Sequence, residues 1–185
     1  MKWEIELKES FEKGDYESSI SILKKNISDN RNVLNSYINL IYVYIYYIIE
    51  VDCFSKTSHI YEDEIKTLFK KLINNKEYNE NATFLFYTAY TASAYGEFIL
   101  NLNRKDLNKM YKKAVKIEPY NLLYKYGYLL CFGTNDDKRR MRLEIAKTLL
   151  NDQKYINDIA DKSLVGDDLL WLLTSDIKNN IKYDN

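Results

Sequence analysis

The chain has 185 residues, 46% of them hydrophobic and 29% charged, with only 5 glycines and 1 proline. A chain of this length buries roughly 70% of the surface its unfolded form exposes, and this composition excludes a disordered or collagen-like protein and argues against a loop-rich sandwich. Net charge is zero, 27 basic against 27 acidic residues, yet residues 101–150 hold 12 Lys/Arg against 5 Asp/Glu.

Hydrophobic periodicity predicts a succession of antiparallel helices within one domain, 1–185. Trp3, Leu7 and Phe11 recur at helical spacing, Gly14-Asp15 interrupts them, and Tyr16, Ile20, Leu23 and Ile27 resume the stripe. Residues 33–51 read as a third helix; the β-rich run from Ile41 to Ile45 makes a buried strand the competitor, and length favours the helix. A fourth helix is predicted from Ser58, with Glu62, Asp63 and Glu64 in its first turns and Lys70 and Lys71 near its end, the arrangement that suits the helix dipole. Asn74-Asn75 closes it.

An aromatic segment from Ala82 to Leu100 follows. Leu107, Met110, Tyr111 and Ala114 then line one face of a helix whose other face carries Lys105, Lys109, Lys112 and Lys116, and Pro119 ends that helix or opens the next. Thr134-Asn135-Asp136-Asp137 fits a capping box ahead of Met141, Ile145 and Leu149, and Asp167-Asp168 reads as the start of a last helix carrying Trp171. The expectation is all-α, with about nine or ten helices and no strand.

Several segments resemble the tetratricopeptide repeat (TPR), whose helix pairs recur at about 34 residues. Lys13-Gly14-Asp15-Tyr16-Glu17-Ser18-Ser19-Ile20 is similar to that family's inter-helix turn, with Ser19 at the small position and Trp3 where the first aromatic residue belongs. Tyr111, Ala114 and Pro119 resemble the end of a second repeat helix, echoed by Leu143 and Ala146; Tyr37, Leu40 and Tyr44 match one first helix, and Leu123, Gly127 and Leu130 a later one. The resemblance implies antiparallel hairpins stacked as a degenerate TPR-like superhelix. It also implies a concave groove lined by Asn35, Tyr42 and Tyr46 on one first helix and by Asn121, Tyr124 and Tyr128 on another. Tyrosine buries contact area at low rotamer cost, so such a groove would bind protein.

Catalytic signals are sparse. His59 is the single histidine, the five glycines are scattered so that no phosphate loop forms, and Cys53 and Cys131 lack metal-ligand spacing. No enzyme, cofactor or metal site is expected, and the thiols are expected to be reduced. The longest apolar run, Leu40 to Ile49, has ten residues, four of them Tyr, about half of what spans a bilayer. The opening residues alternate charged and apolar, unlike a secretory segment. A cytoplasmic monomer without a membrane anchor is therefore expected.

A short, Tyr-rich helical array is similar in character to contact-dependent growth inhibition immunity proteins, which implies a partner that is a toxin domain, a nuclease toxin among the candidates. The cluster Glu62, Asp63 and Glu64, with Glu50 and Asp52 just before it, would attract the basic active site of such a nuclease. A TPR-like adaptor or co-chaperone scaffold is the alternative. A nucleic-acid binder acting through the basic 101–150 stretch ranks behind both, because the lysines lie opposite an apolar stripe as a solvated helix face does.

Overall fold

The computed structural model describes residues 2–51 and 56–181. They form eleven α-helices and no strand: α1 (Lys2–Glu12), α2 (Tyr16–Ser28), α3 (Val33–Tyr46), α4 (Lys56–Ile73), α5 (Lys76–Asn79), α6 (Ala82–Tyr95), α7 (Arg104–Ile117), α8 (Leu122–Phe132), α9 (Asp136–Asn151), α10 (Gln153–Ala160) and α11 (Leu164–Ile181). A π-helical turn, Tyr47–Val51, continues α3. The β-rich run is helical, as its length indicated. Cys53 and Asp52 lie outside the described residues.

Local chemistry sets the boundaries. Gly14 adopts φ +75° between α1 and α2, a left-handed conformation that costs a residue without a Cβ little, and Asp15 Oδ1 then accepts from the Ser18 N–H at 3.0 Å to start α2. Asn30 and Asn32 take positive φ before α3, which asparagine tolerates better than most residues. The reciprocal capping box belongs to α7, where Asn103 accepts from the Asp106 N–H and the Asp106 carboxylate accepts from the Asn103 N–H. At α9, Asn135 accepts from the Lys138 N–H, but a lysine cannot return the bond, so the predicted box there is a simple cap. Two short helices, α5 and α10, were not legible in the periodicity, and α11 starts three residues before Asp167.

Successive helices pack in pairs: α1 on α2, α2 on α3, α6 on α7, α7 on α8 and α8 on α9. Small residues mark the close approaches. Ser19 is fully buried, its hydroxyl 2.8 Å from that of Ser10 across the first hairpin, and Ala114 and Ala146 are fully buried. Gly127 lets α8 sit against α6 and α7, since a Cβ there would lie 2.5 Å from Phe86 Cε2 and 3.0 Å from Tyr111 Cε1. Besides these pairs, α3 packs on α6 and α6 on α8, which makes a row of three helices, and α11 returns from the end of the chain to pack on α3, α9 and α10.

Candidate functional site

The C-terminal helix crosses the row α3, α6, α8 in register. The Val165 N–H donates to Asn39 Oδ1 of α3 at 3.3 Å, Asp168 Oδ2 accepts from the Tyr90 hydroxyl of α6 at 2.7 Å, and Asp176 Oδ2 accepts from the Tyr126 hydroxyl of α8 at 3.2 Å. Eleven residues of α-helix rise about 16 Å, two interaxial spacings of roughly 8–10 Å, so one straight helix reaches all three. Arg142 of α9 donates to Asp176 Oδ1 at 2.7 Å, and Lys8 of α1 pairs with Asp167 at 2.5 Å. Val165, Leu169 and Leu173 are fully buried beneath it. The face of α3 that the repeat register left open for a partner is in large part covered by the chain itself.

The groove residues are less exposed than expected. Asn35 is buried and donates through Nδ2 to the Asp161 carbonyl at 3.0 Å. Its helical neighbour Asn39, absent from the candidate set, does more: Nδ2 donates to the Asn35 and Lys162 carbonyls at 2.8 and 2.9 Å, while Oδ1 receives Val165. The available signal was an Asn pair four residues apart in an otherwise apolar helix, since buried amides need partners. Tyr42 is buried against Phe11, ring centroids 5.9 Å apart, and Tyr46 is half-buried, 5.0 Å from Phe11 and 5.9 Å from Tyr16.

On α8, Tyr124 is buried with its ring 4.8 Å from Phe86 and its hydroxyl 3.0 Å from Thr83 Oγ1. Burial pushes its pKa up to about 12 despite that bond. Tyr128 is half-buried and stacks on Phe132 at 5.6 Å. Asn121 precedes α8 as its N-cap, accepting from the Leu123 N–H at 3.1 Å and donating to Glu118 Oε2 at 3.0 Å. It lines, with Tyr124, Tyr155 and Asp158, a cavity of about 220 Å³ between α6, α8 and α10.

The acidic cluster is partly consumed by internal pairs. Glu62 pairs with Lys66 one turn on and lies 3.9 Å from His59 Nδ1, and Glu64 reaches Lys24 of α2 at 2.5 Å, tying α4 to the first hairpin. Asp63 is exposed and forms no ion pair with the described residues. His59 projects into solvent, its side chain 75% exposed.

A larger cavity, about 460 Å³, lies where α6, α7, α8 and α11 meet. Its apolar walls include Leu107, Leu130, Phe132 and Leu172, and Trp171 stands at its rim, 68% exposed. Ser93, Cys131 and Tyr111 form a closed polar cluster at one side: Ser93 Oγ is 3.1 Å from the Tyr111 hydroxyl, and Cys131 Sγ lies 3.4 and 3.5 Å from these two oxygens. Burial holds the Tyr111 pKa well above its ordinary value, so that hydroxyl stays protonated and bonds as a neutral group. Arg104, the first residue of α7, donates through Nη2 to the Cys131 carbonyl at 3.1 Å and lays its guanidinium over the Phe132 ring, Cζ 5.3 Å from the centroid. Glu97 also lines the cavity and, like Arg104, forms no ion pair with the described residues. Of these residues only Leu107, Tyr111 and Leu130 fall on the predicted helical stripes or repeat positions, so periodicity could not have grouped the cavity lining.

No group of His, Cys, Asp and Glu suited to a metal ion occurs among the described residues, and no described helix is long and apolar enough to cross a membrane. Comparison of the chain with family models, with curated proteins and with solved structures finds no match.

Proposed function

We propose that this chain is a protein-binding helical module of TPR-like construction, and that its partner is a bacterial toxin domain neutralised by direct binding and occlusion. The observation that supports this is Trp171. It is one of only two tryptophans in the chain, it sits on the helix that closes the fold, and it remains 68% exposed beside the cavity between α6, α7, α8 and α11. Tryptophan and arginine are the residue types most enriched among interface anchors, and Arg104 stands in the same cavity. The binding face then lies around α11 and α7, on the outside of the helix that fills the expected groove. The protein works as a rigid shape without chemistry of its own.

The test is co-production in bacteria with candidate toxin domains, starting with any that is encoded beside this gene. Growth should be restored by the native chain, and lost with Trp171→Ala or Arg104→Ala although both variants melt like the native protein. Undiminished rescue by both variants, or no rescue by the native chain, would defeat the proposal.

A second reading, contact with a polyanion, is favoured by one observation: Lys105, Lys112 and Lys116 of α7 are exposed and form no ion pair with the described residues. Binding by that route would weaken steeply with salt, by a power set by the number of phosphates contacted.

A further inference from the structure

Arg104 and Glu97 line one cavity with opposite charge and do not pair with each other. The guanidinium is pinned in place by the Cys131 carbonyl at 3.1 Å and by the Phe132 face. Glu97 belongs to the turn that follows α6, where its carbonyl is engaged by the Leu102 N–H at 2.9 Å. Neither charge is neutralised from within the described residues.

Asp168, whose Oδ2 accepts from the Tyr90 hydroxyl at 2.7 Å, adds a second carboxylate to the same lining. Apart from Ser93, Cys131 and the Tyr90 hydroxyl, the rest is apolar or aromatic, Leu107, Leu130, Leu172, Phe132 and Trp171 among it. The volume of about 460 Å³ falls within the roughly 300–1,000 Å³ of small-molecule sites.

We infer that this cavity binds a small zwitterion, an α-amino acid with a large apolar side chain. The carboxylate meets Arg104, whose remaining N–H groups face no carboxylate and whose planar fork suits two-point contact. The ammonium meets Glu97, with Asp168 adding negative potential in the same cavity. The side chain lies on the apolar walls beneath Trp171. A simple anion would gain Arg104 but face two carboxylates, and a simple cation would leave the guanidinium unanswered; an occupant carrying both charges satisfies both ends at once. The inference does not rest on the protein-binding proposal, and its test uses the isolated chain.

The experiment titrates the full-length protein, carrying Trp3→Phe so that Trp171 alone reports, with L-phenylalanine and follows tryptophan emission, with calorimetry on the native chain alongside. Saturable binding is expected. Removing either charge from the ligand, as N-acetyl-L-phenylalanine or as L-phenylalaninamide, should weaken it at least tenfold. Arg104→Gln should erase the advantage of the acid over the amide, and Glu97→Gln the advantage of the free amine over the N-acetyl form. The idea is overturned if nothing saturates by on the order of 10 mM, if the three ligands bind alike, if the variants leave both preferences intact, or if glycyl-L-phenylalanine binds better than the free amino acid. Failure here with intact toxin rescue would remove the ligand site and leave the protein-binding proposal standing.

Discussion

Asn39 and Asp176 show how single polar residues hold this helical stack together. Asn39 is fully buried and satisfies two carbonyls and one N–H, two of these three groups at the corner where α10 gives way to α11. Asn39→Leu would leave the Lys162 carbonyl and the Val165 N–H without that partner, so we expect a loss of about 2–4 kcal/mol, read as a lower urea midpoint with an unchanged slope. A loss under about 0.5 kcal/mol would mean that the corner is held by packing alone. Asp176 and Arg142 are nearly buried, with side-chain exposures of 9% and 14%. Removing one partner strands the other, at a cost of about 3–5 kcal/mol. The single Asp176→Leu should therefore unfold far more easily than the double Arg142→Met/Asp176→Leu, and a double variant as unstable as the single would refute a compensated pair. The sequence does not show what these residues bridge, because an amide or a carboxylate has no periodic signature and the partners on other helices, Lys162 and Val165 for Asn39, Tyr126 and Arg142 for Asp176, lie more than thirty positions away in the chain.

Among the elements, α8 and α11 set the packing. Gly127 is the tightest point of the α6, α7 and α8 contact: a methyl group there would press on the Phe86 ring at 2.5 Å and on Tyr111 at 3.0 Å. Gly127→Ala gains helix propensity, worth about 1 kcal/mol in a helix interior, but overpacking costs about 1–3 kcal/mol and must win at this separation. A lower thermal midpoint checks it; a raised midpoint would show that Phe86 moves aside freely. The helix α11 is amphipathic toward the row α3, α6, α8, with Val165, Leu169 and Leu173 beneath it fully buried. Leu169→Ala should cost about 2–5 kcal/mol, the range for a buried leucine whose cavity collapses only in part. Trp171, on the same helix but 68% exposed, should change stability by less than about 0.5 kcal/mol on truncation. This pair of variants, compared by urea unfolding, separates the buried face of α11 from its outer face.

At the scale of the whole molecule, tyrosine is both filler and pH limit. Tyr44, Tyr87, Tyr111 and Tyr126 all have pKa values raised above the ordinary 10.0, burial being the largest cause in each, and Tyr124 is pushed up to about 12. A raised folded-state pKa means the unfolded chain releases protons first, so stability is full below about pH 10 and declines as pH climbs from there through 12 and beyond. Absorbance of the buried tyrosinates should rise only together with loss of helical dichroism; one smooth titration of all eighteen ahead of any loss of dichroism would contradict this. Most helices, the break at Gly14-Asp15, the α7 face and the small residues Ser19 and Ala114 were legible in the sequence, because each depends on neighbours within a turn or two of the same chain. The direction in which Tyr42, Tyr124 and Asn35 point was not. Hairpin periodicity says which face of a helix is apolar or aromatic, but not what lies against it. For Asn35 that was decided by the return of the chain at the α10–α11 corner, 126 positions away, for Tyr42 by Phe11 of α1, and for Tyr124 by Phe86 and Thr83 of α6. Closing so long a loop is driven by the burial of one whole helical face, a property that exists only once the row it covers has formed.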